Sequence, residues 1–299
     1  MSQELDILKA INPFLLQNNS VIVGPGDDCA VLEYPSSCSY DLLAAVDQVI
    51  EDIHFTKETS PQAAGEKLLK RNLSDIAAMG GTPLWALLTV AWNNKSNSYI
   101  EEFCKGCANA GLKYNVPIVG GDLASLAKEG VCATLTILGQ VPKHKAILRS
   151  TAKDGDTIFV TGKIGNSFHS LRHLTFEPRL KEGQFLLDYA TGMMDISDGL
   201  LMDAQRFCQA SKCDFYLSLD AVPIHDDASK LTALSDGEDY ELLFTADSSL
   251  IDIWPKDLTP ISAIGKVVKK VDCIESANYG RLFDINGNPI SSEYMGYEH

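Results

Sequence analysis

Five short motifs that contain aspartate are spread along this chain between residues 27 and 198. The motifs are Gly26-Asp27-Asp28, Val46-Asp47, Ser74-Asp75, Gly120-Gly121-Asp122 and Asp195-Ile196-Ser197-Asp198. Each lies at the end of an apolar run or beside a glycine, where a strand or helix is expected to stop. A single carboxylate in such a place is usually a turn residue. Several of them predict one acidic site assembled from distant segments.

Carboxylates gathered in one site repel each other and therefore need cations. Two unit charges about 4 Å apart repel by roughly 1 kcal/mol in water and by about 4 kcal/mol at an effective dielectric constant of 20. Hard oxygen ligands suit Mg²⁺, which also keeps water and phosphate oxygens in its coordination shell. The first hypothesis is therefore a magnesium-dependent enzyme that acts on phosphates.

The composition limits the possible partners. The chain has 299 residues, 45% of them hydrophobic and 22% charged, which is ordinary for a globular protein of one large domain or, better, two. The formal net charge of −15 argues against nucleic acid, because contact with a phosphate backbone needs basic patches. Nucleotide binding stays open, since metal ions can supply positive charge.

Several features together predict a cytoplasmic location. No apolar run reaches 18 residues, so no membrane span is expected. The start of the chain, Met1-Ser2-Gln3-Glu4, has neither the basic nor the apolar region of an export signal. The eight cysteines are scattered and are interpreted as buried thiols in a reducing compartment.

The order of apolar runs predicts two domains, at residues 1–148 and 149–299. The boundary is placed beside Arg149, because a polar turn and then a new apolar run, expected to be a buried strand at 157–162, follow it. Strands and helices mix without regular alternation, which favours an α+β first half and a mixed α/β second half.

Individual elements can be predicted in both halves. Ser60 and Pro61 indicate the start of a helix that ends at Gly80 and turns a stripe of leucine and isoleucine (Leu69, Leu73 and Ile76) to the core. A strand is expected to end at Asp47, and a buried strand at the glycine-acid turn that contains Asp122. Helices are also expected at 5–17, near 166–173 and near 183–191.

The familiar phosphate-binding loops are absent from the sequence. It contains no GxxxxGK[ST] loop and no kinase glycine-rich or catalytic loop. The most specific motif is Asp195-Ile196-Ser197-Asp198, whose carboxylates are three residues apart where a strand leads into a helix. Ser197 and the backbone N–H groups of that helix start are candidates for holding a phosphate, while Asp198 is alternatively a simple N-cap. The Asp27-Asp28 and Asp122 motifs are alternatively plain turns.

Taken together, the motifs resemble those of the thiamine-monophosphate kinases, within the aminoimidazole-ribonucleotide-synthetase-like ATP-binding superfamily. Seven segments occur in the order of that family and cover nearly the whole chain, to Tyr297. They are Gly26-Asp27-Asp28-Cys29-Ala30, Val46-Asp47-x6-His54-Phe55, Asn72-Leu73-Ser74-Asp75, Gly120-Gly121-Asp122, Arg149-x6-Asp156, Asp195-x2-Asp198-Gly199 and Gly237-Glu238-Asp239-Tyr240-Glu241.

The resemblance implies a fold, a reaction and a set of roles. It implies an N-terminal α+β domain whose sheet joins a partner's in a homodimer, a C-terminal α/β domain, and transfer of phosphate from ATP to thiamine monophosphate. The implied Mg²⁺ ligands are Asp28, Asp47, Asp75, Asp122, Asp195 and Asp198. The implied ATP contacts are Gly121, Asp122, Arg149 and Ser197, and the implied substrate contacts are His54, Glu238 and Tyr294.

The chain departs from the family pattern at three places. Val46 stands where a hydroxyl residue is frequent, so any metal contact from that side chain is lost. Asp236 replaces the first glycine of the usual Gly-Gly-Glu-Asp. The segment 173–179 lacks an arginine before its proline, and if that arginine holds phosphate, Arg172 or Arg179 must replace it.

Two alternatives remain open at the level of sequence. One is another ATP-using enzyme of the same superfamily, although the cysteines expected of the selenophosphate-forming and hydrogenase-maturation relatives are not found in the expected places. The other is a non-catalytic homologue that binds divalent metal. The phosphate transfer that the resemblance implies needs no residue that forms a covalent intermediate and no general base, because the acceptor is already an ionised phosphate oxygen.

Overall fold

The computed structural model describes residues 20–24, 26–33, 38–269 and 280–290. The predicted helix at 5–17 and the predicted substrate residue Tyr294 lie outside these residues. Within them the chain forms two six-stranded sheets with helices packed between and around them. The predicted fold class, mixed α and β with two sheets, is confirmed.

The first sheet is built from β1 (Val21–Val23), β2 (Ala30–Leu32), β3 (Tyr40–Ile50), β4 (Thr82–Asn93), β5 (Ile118–Ser125) and β6 (Gly130–Pro142). Its strand order is β1-β2-β3-β6-β4-β5, and only the β4–β5 pair is parallel. Along β6 the buried and half-buried positions alternate, as expected for a sheet with one covered face. Two helices cover the inner face, α1 (Pro61–Ala78) and α2 (Asn97–Tyr114).

Helix α1 is the central element of the molecule. The side chain of Ser60 accepts a hydrogen bond from Ala63 N at 3.2 Å, and Pro61 occupies the first turn, so the predicted start is confirmed. Leu69, Leu73 and Ile76 are fully buried, as predicted. Thirteen of the eighteen residues of α1 are buried, because the helix lies between the first sheet and the second half of the chain.

The second sheet is built from β7 (Thr157–Thr161), β8 (Gly192–Asp195), β9 (Asp214–Leu217), β10 (Leu242–Ala246), β11 (Ile261–Val268) and β12 (Leu282–Asp284). Its order is β12-β9-β11-β7-β10-β8. Five helices accompany it: α3 (Arg172–Thr175), α4 (Leu180–Leu186), α5 (Leu200–Ser211), α6 (Lys230–Ser235) and α7 (Leu250–Ile253). The predicted boundary between residues 148 and 149 lies in the segment that joins the two sheets, and the division into two domains stays a prediction.

Four predicted elements differ from the structure. Strand β3 does not end at Asp47 but continues to Ile50, because β6 pairs with it along its whole length. Strand β5 is not buried and does not end in a turn at Asp122; it runs on to Ser125 as an exposed edge strand. The helix predicted near 166–173 is replaced by the short α3, since Asn166 and Leu171 adopt left-handed backbone conformations that interrupt a helix. The helix predicted near 183–191 is replaced by α4, which begins at Leu180 and ends at Leu186.

Candidate active site

Three predicted carboxylates converge on one point. Asp28 lies in the β1–β2 connection, Asp75 in the last turn of α1, and Asp195 at the end of β8. Each offers one oxygen, and these three oxygens all lie within 4.8 Å of one another. We call Asp28, Asp75 and Asp195 the acidic triad. Its members come from positions as far apart as 167 residues in sequence, so the predicted convergence of distant segments is observed for these three.

Neighbouring side chains hold the acidic triad in place. Ser74 Oγ donates a hydrogen bond to Asp195 Oδ2 at 2.6 Å, which ties α1 to β8. Arg149 Nη2 donates to Asp28 Oδ1 at 2.7 Å, and the backbone N–H of Arg149 donates to Asp27. The predicted ATP contact Arg149 therefore lies beside the triad, on the segment that joins the two sheets.

The electrostatics of the acidic triad call for a cation. Burial, and then the charges of the neighbouring carboxylates, raise the pKa of Asp75 and of Asp195 well above the usual range. Within the described residues, Asp28 Oδ2 is buried and accepts no hydrogen bond. Three converging carboxylate oxygens are hard donors of the kind that Mg²⁺ prefers, and the buried Asp28 Oδ2 is available as a further ligand.

Asp47 faces α1 but is engaged by an arginine rather than joined to the triad. Arg71, one helical turn before Asp75, approaches both oxygens of Asp47: Nη2 lies 3.4 Å from Oδ1 and Nε lies 3.4 Å from Oδ2. Arg71 Nη1 also donates to the carbonyl oxygen of Gln48 at 2.7 Å. Burial raises the pKa of Asp47, and the Arg71 guanidinium opposes that rise.

The structure does not bring Asp122 to the acidic triad within one chain. Asp122 is exposed on β5, beside Thr89 of β4, whose side chain is also exposed. From β2 to β5 there are four strand spacings, about 19 Å along the sheet. Position 121 requires glycine for a structural reason, because a Cβ there would lie 1.7 Å from the carbonyl oxygen of Leu88.

The helix start after Ser197 is occupied by a carboxylate of the same chain. Asp203, fully buried on α5, accepts hydrogen bonds from the backbone N–H groups of Ser197 and Asp198, both at 3.0 Å. Arg206 forms ion pairs with Asp198 and Asp203. Burial and the charge of Asp198 raise the pKa of Asp203 to about 7. Asp203 therefore already accepts from both of these N–H groups, and the predicted phosphate contact of the Ser197 segment stays a prediction.

The two described substrate candidates, His54 and Glu238, meet at a lysine. Lys67 of α1 is fully buried; its Nζ donates to the carbonyl oxygen of His54 at 2.5 Å and forms an ion pair with Glu238. Its third neighbour is His173, whose Nδ1 lies 2.8 Å from Nζ. The His54 ring is oriented by the backbone N–H of Ile50, which donates to Nδ1 at 3.0 Å.

Backbone hydrogen bonds join the Glu238 segment to the segment that carries Asp195. Glu238 N donates to Ser197 O at 2.7 Å, and Tyr240 N donates to Ile196 O at 2.8 Å. Gly237 allows this contact, since a Cβ there would lie 2.3 Å from Ser197 O. Glu238 itself has a left-handed backbone, with φ of +69°, so its position depends on these surrounding contacts.

Sequence reasoning missed the polar stripe of α1, which we define as Lys67, Arg71, Ser74 and Asp75. Positions 67, 71, 74 and 75 follow helical spacing and share one face of the helix. On this face Lys67 contacts Glu238 and Arg71 contacts Asp47. Ser74 contacts Asp195. The signal was present in the sequence, because polar residues at helical spacing within an otherwise apolar helix indicate a buried polar face.

The two arginines considered as replacements for the missing family arginine are already paired. Arg179 contacts Glu241 through two nitrogens, and Arg172 contacts both oxygens of Asp227 at 3.0 Å. Both line a cavity of about 570 Å³ on the second half of the chain, which none of the acidic triad lines. Neither guanidinium is directed to the triad by these contacts.

The buried His173 makes a testable contribution to acid sensitivity. Burial, and then the charge of Lys67, lower its pKa from 6.5 to about 3. Between these values the unfolded chain binds a proton that the folded chain excludes, so stability falls as the pH falls through 6.5. We expect wild type to lose about 2 kcal/mol more than His173→Asn between pH 7.5 and pH 5, because asparagine accepts the Lys67 hydrogen bond without titrating.

Urea unfolding at the two pH values measures this difference. His169→Asn is the matched control, because His169 lies four residues before His173 and is exposed. This variant should lose as much stability between the two pH values as wild type. Equal acid sensitivity of wild type and His173→Asn would contradict the prediction.

Comparison with known proteins supplies independent information on this site. The N-terminal domain of the AIR synthase related proteins matches residues 26–141. Thiamine-monophosphate kinase of Haemophilus influenzae is 31% identical, over 99% of this chain and 97% of the relative. Thiamine-monophosphate kinase of Escherichia coli is 32% identical, over 93% of this chain and 92% of the relative. A solved structure described as AaThiL complexed with AMPPCP and TMP superposes with a TM-score of 0.82 at 27% identity, covering 100% of this chain and 97% of that one.

Proposed function

The chain belongs to the thiamine-monophosphate kinase family, and from this premise we propose that its acidic cleft transfers the γ-phosphoryl group of ATP to thiamine monophosphate. The products are ADP and thiamine diphosphate. The observation that carries the proposal is the convergence of Asp28, Asp75 and Asp195 within 4.8 Å. A relative of known structure, described as complexed with AMPPCP and TMP, has the same fold over the whole chain.

The proposed chemistry is a direct in-line transfer without a covalent enzyme intermediate. The acceptor is a phosphate oxygen that is ionised at neutral pH, so no general base is needed. The tasks left to the protein are to orient two anionic reactants and to neutralise their charge. Asp28, Asp75 and Asp195 would hold Mg²⁺, which would supply positive charge to offset that of the two phosphates.

The remaining residues are proposed to orient the reactants. Arg149 adds a fixed cation beside Asp28 for the ATP phosphates, and Ser197 and Gly121 are proposed as further ATP contacts. Asp198, which forms an ion pair with Arg206, is proposed as a further metal ligand. His54, Glu238 and Tyr294 are proposed to contact thiamine monophosphate, with Lys67 fixing the first two relative to each other.

A homodimer is proposed from the outer face of the first sheet. This face exposes large apolar side chains, among them Val46 (60% exposed), Trp85 (40%) and Leu87 (41%). Apolar groups in such a patch favour contact with another protein surface. We propose that a second copy covers this face and that Asp122, which is exposed on the adjoining edge strand, completes the acidic site of the partner.

A cytoplasmic location is proposed as well. The seven cysteines among the described residues are all free thiols, which fits a reducing compartment. None of the helices in the described part of the chain has both the length and the apolar character needed to cross a bilayer.

One assay tests the proposed function. Purified protein is incubated with ATP, Mg²⁺ and thiamine monophosphate, and thiamine diphosphate and ADP are measured with and without a chelator. We expect equal amounts of both products and complete loss of both on chelation. ADP formation without thiamine diphosphate would indicate another ATP-using enzyme of the superfamily, and metal uptake without any turnover would indicate a non-catalytic homologue.

A further inference from the structure

We propose that Arg71 and Tyr240 bind the phosphate group of the acceptor substrate. The ligand class is a phosphate monoester, whose oxygens accept hydrogen bonds from the Arg71 guanidinium and from the Tyr240 hydroxyl. The inference rests on the proposed function, since it assigns two further contacts to the same cleft. It gives this chain a phosphate-binding arginine other than Arg172 and Arg179, which form ion pairs elsewhere.

Arg71 is a buried cation whose hydrogen-bonding capacity is only partly used. The residue is 8% exposed, and its Nη1 donates to the carbonyl oxygen of Gln48 at 2.7 Å. Its contacts with Asp47 are long, since Nη2 and Nε lie 3.4 Å from the two carboxylate oxygens. Within the described part of the chain Nε makes no hydrogen bond. Charge-assisted hydrogen bonds are usually about 2.7–2.9 Å long, so Arg71 retains donors for a second anion.

Tyr240 presents an unused donor in the same region. It is 2% exposed, and its hydroxyl has no hydrogen-bond partner among the residues that the structure describes, although a buried tyrosine hydroxyl usually has one. Burial raises the pKa of Tyr240 well above its usual value, and the charge of the nearby Arg71 opposes this rise. The hydroxyl therefore keeps its proton and can donate it. A buried hydroxyl and a guanidinium placed near each other are complementary to an anion that contacts both.

Packing fixes Tyr240 against α1, beside Arg71. The Tyr240 ring stacks on that of Phe176, with 4.1 Å between the ring centroids. Lys70, the residue before Arg71, places its Nζ 5.0 Å from the centroid of the same Phe176 ring. The backbone N–H of Tyr240 donates to Ile196 O at 2.8 Å, directly after the end of β8. The position of the hydroxyl is therefore determined by α1 and by the segment that carries one member of the acidic triad.

Arg71 lies midway between the two ends of the cleft. It is four residues from Lys67 and four from Asp75 on α1, about 6 Å along the helix axis in each direction. Lys67 contacts the proposed substrate residue Glu238, and Asp75 belongs to the acidic triad. In the proposed reaction the acceptor phosphate lies between its own ring system and the metal. The side chain of Asp47, in contact with Arg71, is 27% exposed, so a ligand can reach this position.

The contribution of Arg71 and Tyr240 is direction rather than net charge. Arg71 with Asp47, and Lys67 with Glu238, are ion pairs without net charge. Two fixed donors would orient the acceptor phosphate, which is the task that an in-line transfer leaves to the protein. Arg149 is proposed for the ATP phosphates, so the two reactants would be held by different arginines.

Tyr240→Phe tests the inference with the least disturbance of the protein. Isothermal titration calorimetry in the presence of Mg²⁺ measures the binding of thiamine monophosphate, of thiamine and of AMPPCP. We expect Tyr240→Phe to bind thiamine monophosphate about tenfold more weakly than wild type. Its affinity for thiamine, which has no phosphate, and for AMPPCP, which represents ATP, should be unchanged. The melting temperature should equal or exceed that of wild type, because the hydroxyl removed is buried without a partner in the described residues.

Arg71→Lys is the second variant, and Lys70→Met is its matched control. Lysine keeps the positive charge beside Asp47 but lacks the side-on pair of N–H groups, so we expect a loss of about tenfold for thiamine monophosphate and none for thiamine. Lys70 is the adjacent buried cation of α1, and its Nζ donates to Leu174 O at 2.8 Å. Lys70→Met should bind all three ligands as wild type does.

The three ligands separate the possible outcomes. Wild-type affinity for thiamine monophosphate in either variant would overturn the inference. Equal losses for thiamine monophosphate and thiamine would overturn it too, because the loss would not depend on the phosphate, and so would a loss confined to AMPPCP. If Arg71→Lys does not fold, as judged by circular dichroism, Tyr240→Phe decides alone. A wild-type protein that binds no thiamine monophosphate would contradict the proposed function together with this inference, whereas unchanged variants of a protein that does bind it contradict the inference only.

Discussion

Asp75→Asn is expected to lower the kcat for thiamine diphosphate formation by about 1,000-fold, because it removes one of three carboxylates proposed to hold the catalytic metal. The fold should survive. Burial and neighbouring carboxylates raise the pKa of Asp75, which means that its charge opposes folding in the absence of metal. The melting temperature of the metal-free variant is therefore expected to be equal to or above that of wild type.

Asp41→Asn is the matched control for this experiment. Asp41 is a buried aspartate of the first half that lies at the start of β3 and accepts a hydrogen bond from His144 N at 2.7 Å. We expect Asp41→Asn to retain the wild-type kcat. Initial rates of thiamine diphosphate formation at saturating ATP and Mg²⁺ provide the measurement. A wild-type rate for Asp75→Asn would exclude Asp75 from the active site.

Mixed dimers of Asp75→Asn and Asp122→Asn are expected to regain activity that neither variant has alone. If Asp122 completes the site of the partner, a dimer with one chain of each kind contains one site without a substitution and one with both. The purified mixed dimer, with one of its two sites intact, is then expected to have about half of the wild-type activity. The two variants are co-expressed with different affinity tags, and the mixed dimers are purified through both.

The control pair is Asp75→Asn with Asp28→Asn, which both belong to the acidic triad of one chain. Every site in such a mixed dimer carries one substitution, so no recovery is expected. Recovery in the control pair, or a wild-type rate for Asp122→Asn by itself, would contradict the proposal that Asp122 acts in the partner's site. A monomeric protein in sedimentation velocity would contradict it too.

The position of the triad could be predicted from the sequence, whereas its surroundings could not. Aspartates at the ends of apolar runs indicated where Asp28, Asp75 and Asp195 would meet, since element ends gather at the edge of a packed layer. Asp47 does not lie at the end of its strand, because β6, some 80 residues away in the sequence, pairs with β3 beyond Asp47. Pairing between distant strands is not encoded in either strand alone.

The contacts of Ser197 and Asp122 show a second limit of the sequence. The N–H groups at Ser197 appeared available, but Asp203 accepts from both of them; a capping acid located after the helix start is not part of the usual capping pattern. Asp122 followed an apolar run that resembled a core strand, yet among the described strands β5 pairs only with β4, and it is exposed. Whether an apolar strand is central or at an edge depends on the whole sheet.

Helix α1 has a consequence for the size of the molecule that can accept the phosphoryl group. Lys67, which contacts Glu238, and Asp75 of the triad stand on the same helix, eight residues and therefore about 12 Å apart along its axis. A helix buried on nearly all sides does not stretch, so this separation is constant. An acceptor whose ring system is much closer to its phosphate, or much further from it, can occupy one end of the cleft but not both. The backbone of one helix, rather than the shape of a pocket wall, would then select acceptors by length.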